Sequence, residues 1–121
     1  MFVGWLVVAW CAVIGAHMMS IRMLPWWSAL LLPISAWASM HYRGPGVVFG
    51  GPFVVVGLQH LVHFRQIERA TKAACEQDKW PYRRSGLALL DNPLHRASRW
   101  IFPPLFIGVG TAMLVWPSAF D

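Results

Sequence analysis

The chain has 121 residues, 57% of them hydrophobic and 12% charged, with a mean hydropathy of +0.49 and a net charge of +5. A water-soluble domain of this size has too little interior to hide so much apolar surface, which points away from an ordinary soluble enzyme and toward a membrane. The positive charge does not indicate nucleic acid. Eight of the ten Lys and Arg residues are confined to residues 65–99, and that segregation is the mark of a membrane protein's cytoplasmic loop.

Residues 2–20, Phe2 to Ser20, form the first predicted helix. The run is uncharged and, at ~1.5 Å per residue, long enough to cross a ~30 Å hydrocarbon core. No Lys or Arg precedes it as in a signal peptide, so it reads as a retained helix. Arg22 and Pro25 break the run. Residues 26–41, Trp26 to His41, are the second span. They are short and hold Pro33, which predicts a kink or tilt; a re-entrant segment is the alternative. Tyr42-Arg43-Gly44-Pro45-Gly46 reads as a turn. Residues 46–64 form the third span and residues 100–117 the fourth, with Pro103-Pro104 near its start and Pro117 at its end. The expected fold is therefore all-α: a polytopic integral membrane protein with four transmembrane helices, or three plus a re-entrant segment. All 121 residues form one membrane domain.

Orientation follows from the charges. The 65–99 block belongs in the cytoplasm, Arg22 falls on the same side, and Arg43 and both termini fall outside. The expected location is the cell inner membrane. Within the block, Phe64 to Lys79 should continue the third span as helix, with Glu68–Lys72 and Lys72–Glu76 paired at i,i+4. Trp80-Pro81 should end it. Leu87, Leu90 and Leu94 make a stripe suited to the membrane surface. Arg65, Arg69, Arg83, Arg84, Arg96 and Arg99 are the expected contacts to anionic lipid or a partner.

The third span carries the candidate site. Gly46, Gly50 and Gly57 fall on one face, with a GxxxG at its start, which predicts close packing against another helix. His60 borders that stripe, and His63 follows. A neutral imidazole beside a glycine-lined face suits an axial ligand of haem iron or of a (bacterio)chlorophyll magnesium, with His17 as a second ligand. A bond from His60 to a lipid phosphate or a carbonyl is the plainer role. Met18, Met19 and Met23 read as packing rather than a copper site. Cys11 and Cys75 fall in different environments and predict no disulfide.

No Asp or Glu lies in any predicted span, which argues against a proton-coupled exporter. No nucleophile triad, phosphate loop or metal-ligand motif is present in the sequence, so no catalytic role and no metal site is expected. In size and organisation the chain resembles the small membrane subunits that accompany larger inner-membrane complexes. The expected function is a non-catalytic subunit that docks to other integral membrane subunits and to anionic lipid. It needs no cofactor. The alternatives are a His-ligated haem or bacteriochlorophyll subunit of an electron-transfer or photosynthetic complex, and a small pore former.

Overall fold

The computed structural model describes residues 2–120, which are all-helical, with no strand among them. The helices are α1 (Phe2–Ser20), α2 (Trp26–Arg43), α3 (Gly50–Val62), α4 (Phe64–Glu76), α5 (Gly86–Leu90) and α6 (Pro93–Val115). Short 3₁₀ turns at Pro45–Val47 and Pro117–Phe120 precede α3 and follow α6. Three stretches are long and apolar enough to cross a membrane: Phe2–Ser20, Pro45–Val62 and Pro93–Val115. The expected second span, at 26–41, is a full helix running on to Arg43, but Ser28, Ser35, Ser39, His41 and Arg43 dilute its apolar character.

Long helices pack in the order α1–α2–α3–α6, each antiparallel to the next. Lipid tails are as apolar as leucine, so close van der Waals contact must hold such seams together. Small residues provide it. Pro33 has no N–H and leaves the Ala29 carbonyl without its helical donor. Gly15 of α1 sits against that carbonyl, where a Cβ would come within 2.7 Å of the oxygen. Gly110 of α6 faces Gly50 of α3 in the same way, 2.5 Å from its carbonyl oxygen if a Cβ were added. One core cluster joins α1, α2 and the entry to α3 through Cys11, Leu32, Ala36, Met40 and Val48. A second, Met23, Leu24, Ala29 and Ala70, ties the α1–α2 turn to α4.

The apolar stretch Pro45–Val62 lies close to the predicted third span, 46–64, but the α-helix within it is shorter. Gly46 is exposed in the 3₁₀ turn, and α3 begins only at Gly50. The expected continuous glycine face therefore starts at Gly50. Gly51 is the residue that meets α2. Its N–H donates to Ser39 Oγ at 2.8 Å, which satisfies one of the free N–H groups of the first turn. At the other end His63, at φ −106° and ψ 20°, separates α3 from α4. The last long helix starts at Pro93 rather than residue 100. Asn92 caps it by accepting from the Leu94 N–H at 2.8 Å, and Pro93 loses nothing at the first position. Leu87 and Leu90 lie on α5 and Leu94 on α6, so the three leucines do not share one helix.

These connections gather the cations at one end. Gln66 reaches the Arg22 carbonyl at 3.2 Å, the Tyr82 ring stacks on His17, and Trp27 meets His63 edge-on. Arg22 thus joins the eight cations of residues 65–99, while Arg43 ends α2 at the opposite end. Trp26, Trp27 and Trp100 are exposed near the cationic end, and Trp5 and Trp116 near the other. That is the pattern of two interfacial aromatic belts.

Candidate functional site

Helix α4 divides the cationic end into two concave spaces. The first is a cavity of about 570 Å³ between α3, α4 and α6. Its apolar wall includes Met18, Met23, Ile67, Phe102 and Phe106, and its polar wall includes His60, Glu68, His95, Arg96 and Arg99. A volume of this size suits a small organic ligand.

His60 is exposed and its Nδ1 lies 2.8 Å from the Val56 carbonyl oxygen. A carbonyl only accepts, so Nδ1 carries a proton, and in the neutral ring Nε2 is then the nitrogen with the lone pair. That tautomer is the one a metal-bound histidine needs. The expected partner, His17, does not line the cavity. It stacks on Tyr82 with ring centroids 6.2 Å apart, and its Nε2 is buried without a hydrogen bond. His95 shares the cavity with His60 instead, brought there by the antiparallel seam of α3 and α6. Nor does the glycine face leave room for a ring. A Cβ on Gly57 would lie 2.6 Å from Ile107 Cγ1 and 2.7 Å from the Pro103 carbonyl oxygen, so α6 already fills that space. Among the described residues no group of three or more His, Cys, Asp or Glu could hold a metal ion. A macrocycle in the cavity would take His60 as its ligand, with Arg96 and Arg99 available to acidic substituents.

The second space is a more open groove of about 1180 Å³ on the other side of α4. Arg22, Arg65, Arg69 and Lys79 line it together with His63, and no carboxylate does. Ile21, Val62 and Phe64 supply an apolar margin. Of the six arginines singled out in the sequence, only Arg65 and Arg69 belong to this groove, and Arg96 and Arg99 belong to the cavity. Arg84 is engaged elsewhere: its Nε donates to the Glu76 carbonyl at 3.1 Å and lies 3.7 Å from Asp78 Oδ2. Arg83 is exposed and lines neither space. Arg99 stands 5.4 Å over both the Phe64 and Trp100 rings, which holds its guanidinium at the rim between α4 and α6. Glu68 and Lys72, the predicted helix pair, are 3.9 Å apart and half exposed, a contact worth a few tenths of a kcal/mol.

Tyr82 closes the cavity from the loop. Burial first, and then the nearby Cys75 thiol, push its phenol above the ordinary range. Its hydroxyl lies 3.8 Å from Met23 Sδ.

Arg22, His95 and Tyr82 were not legible as site residues, because only the return of α4 and α6 to the α1–α2 turn brings them in. No family model matches the chain, and no curated protein or solved structure is significantly similar to it.

Proposed function

We infer that the protein is a small non-catalytic subunit of an inner-membrane complex, crossing the membrane four times with its cationic end in the cytoplasm. Under this reading α2 crosses as well, with Ser28 and Ser39 buried against its neighbours and His41 and Arg43 exposed at its outer end. The observation that carries the docking role is Trp10. It lies near the middle of α1 and is 63% exposed, away from both aromatic belts. Tryptophan favours the headgroup level, and at mid-membrane it is a better anchor for another protein than for lipid. Val3, Leu6, Trp10 and Val13 recur at i, i+3, i+7 and i+10 and are all exposed, the spacing of a helix–helix seam. Most of the buried polar groups of α2 and α3 are spent within the chain, Ser28 on Gln59 Nε2 and Ser39 on Gly51, and Gln59 Oε1 alone of these side chains is left without a partner.

Purification of the full chain in mild detergent tests this. Specific membrane proteins should co-purify, and Leu6→Ala with Trp10→Ala should lose them while the variant stays membrane-inserted. Partners retained by that variant, or none with the wild type, would reject the reading.

His60 favours a second reading. Its free Nε2 on an apolar cavity suits a haem or (bacterio)chlorophyll ligand. A visible absorption band lost in His60→Ala supports it; a featureless wild-type spectrum, or a band that survives the substitution, rejects it.

A further inference from the structure

We propose that the groove between the α1–α2 turn and α4 is a specific site for a phospholipid headgroup carrying two phosphates. The inference rests on the membrane reading above and names the ligand of one part of its cationic end.

Charge is the first argument. Arg22, Arg65, Arg69 and Lys79 line the groove, and no Asp or Glu shares it. The neighbouring cavity differs, since Glu68 stands there beside Arg96 and Arg99. Among the described residues two salt bridges are formed at this end, Lys72 with Glu68 and Arg84 with Asp78, and none of the four groove cations takes part in either. Cations gathered without counter-charge repel one another, and an anion with several oxygens relieves that repulsion.

Geometry is the second. Arg65 and Arg69 lie one turn apart on the same face of α4, about 6 Å along its axis. Arg22 approaches from the α1–α2 turn and Lys79 from the end of α4. Arg22 has φ +63°, a conformation residues with side chains rarely adopt. Gln66, between the two α4 arginines, holds it there by donating to its carbonyl at 3.2 Å. Cations from three segments spread over about 1180 Å³ leave room for more than one phosphate.

Third, the margin is apolar. Ile21, Val62 and Phe64 border the groove at the ends of the helices that enter the membrane, where acyl chains would leave a bound headgroup. A soluble phosphate would gain nothing from them. Basic pockets beside transmembrane helices on the cytoplasmic side are the usual seat of such lipids.

The full chain is reconstituted with neutral phosphatidylcholine vesicles, and flotation first establishes insertion. Cardiolipin, with two phosphates, is then compared with charge-matched phosphatidylglycerol by counting lipid retained on the purified protein in native mass spectrometry. The expected result is retention of cardiolipin over phosphatidylglycerol, lowered about tenfold or more by Arg65→Gln with Arg69→Gln. Lys72→Gln with Arg83→Gln, an equal loss of charge outside both the groove and the cavity, should change retention little. Inorganic pyrophosphate should not displace the lipid. Equal retention of the two lipids, equal loss in both double variants, or displacement by pyrophosphate overturns the proposal while insertion stands. Failure to float with neutral vesicles overturns the membrane reading itself. If the Arg65/Arg69 variant does not insert, Arg22→Gln with Lys79→Gln makes the same test from the other wall.

Discussion

Gln59 donates from Nε2 to both the carbonyl and the hydroxyl of Ser28, at 2.7 and 3.0 Å, and both residues are buried where α3 crosses α2. A polar side chain in an apolar helix has few partners, so these bonds fix the register of the two helices. Gln59 Oε1, by contrast, is buried without a partner, and that offsets part of the gain. Gln59→Leu should therefore destabilise the α2–α3 seam by only about 1 kcal/mol, close to the average for bonds between membrane helices. Unfolding of Gln59→Leu, Ser28→Ala and the double variant in mixed micelles checks this. The two single losses should not add, and full additivity would show that the bond to the Ser28 hydroxyl contributes nothing, since Ser28→Ala keeps the carbonyl acceptor.

The glycines make a sharper prediction, because they differ in what surrounds them. A Cβ on Gly57 meets the Pro103 backbone carbonyl at 2.7 Å, and backbone cannot move aside as a side-chain tip can. On Gly108, in the same α3–α6 pair of helices, it would meet nothing within 4 Å. Gly57→Ala should destabilise by about 1–3 kcal/mol through overpacking. Gly108→Ala should be neutral or stabilising by up to about 1 kcal/mol, since alanine is the better helix former. Thermal melting of the two variants in detergent decides it. Equal effects would mean that the α3–α6 seam does not depend on the glycine.

The contrast also shows how far sequence patterns reach here. Helix class and the first helix were legible because an uncharged apolar run is a one-dimensional signal. The outer glycine pattern misled at Gly46, where Pro45 forms a 3₁₀ turn instead of helix. At Gly50 and Gly57 the spacing indicates a close helix contact without saying which helix makes it, and that helix is the chain's own α6. Which helix fills a glycine face is a tertiary fact, and spacing does not carry it. The start of α6 was missed for a related reason. Hydropathy stops at the charged residues Arg96 and Arg99, but helix propensity and the Asn92 cap do not. The groove depends on Arg22 meeting α4 across a gap that no local motif spans.

Cysteine labelling reports both packing and orientation. Cys75 is buried beneath Gly86, whose added Cβ would lie 3.3 Å from its Sγ, and Cys11 is buried between helices. Both native thiols should react slowly with a polar maleimide in intact membranes, so Cys75 is a poor topology probe despite its place in the basic segment. Ser85 is exposed at the start of α5. Ser85→Cys should react quickly, and from the cytoplasmic side alone. Rapid labelling from the outer side would invert the proposed orientation; rapid labelling of Cys75 would show that α5 does not cover α4.

Tyr82 sets the alkaline limit of the cavity. Its phenol is raised above the ordinary value of about 10 by burial and then by Cys75. A group whose pKa is higher folded than unfolded holds its proton more tightly in the folded chain. Its contribution to stability is complete below about pH 10 and is lost as pH rises through the folded value. The wild type should therefore lose stability in that window, and Tyr82→Phe should not. At neutral pH the two should differ little, because the Tyr82 hydroxyl has only the weak acceptor Met23 Sδ at 3.8 Å. Phenolate absorbance, taken as the wild type minus Tyr82→Phe, isolates this residue from Tyr42. A difference spectrum that develops at or below about pH 10 would show that Tyr82 is not buried beside Cys75.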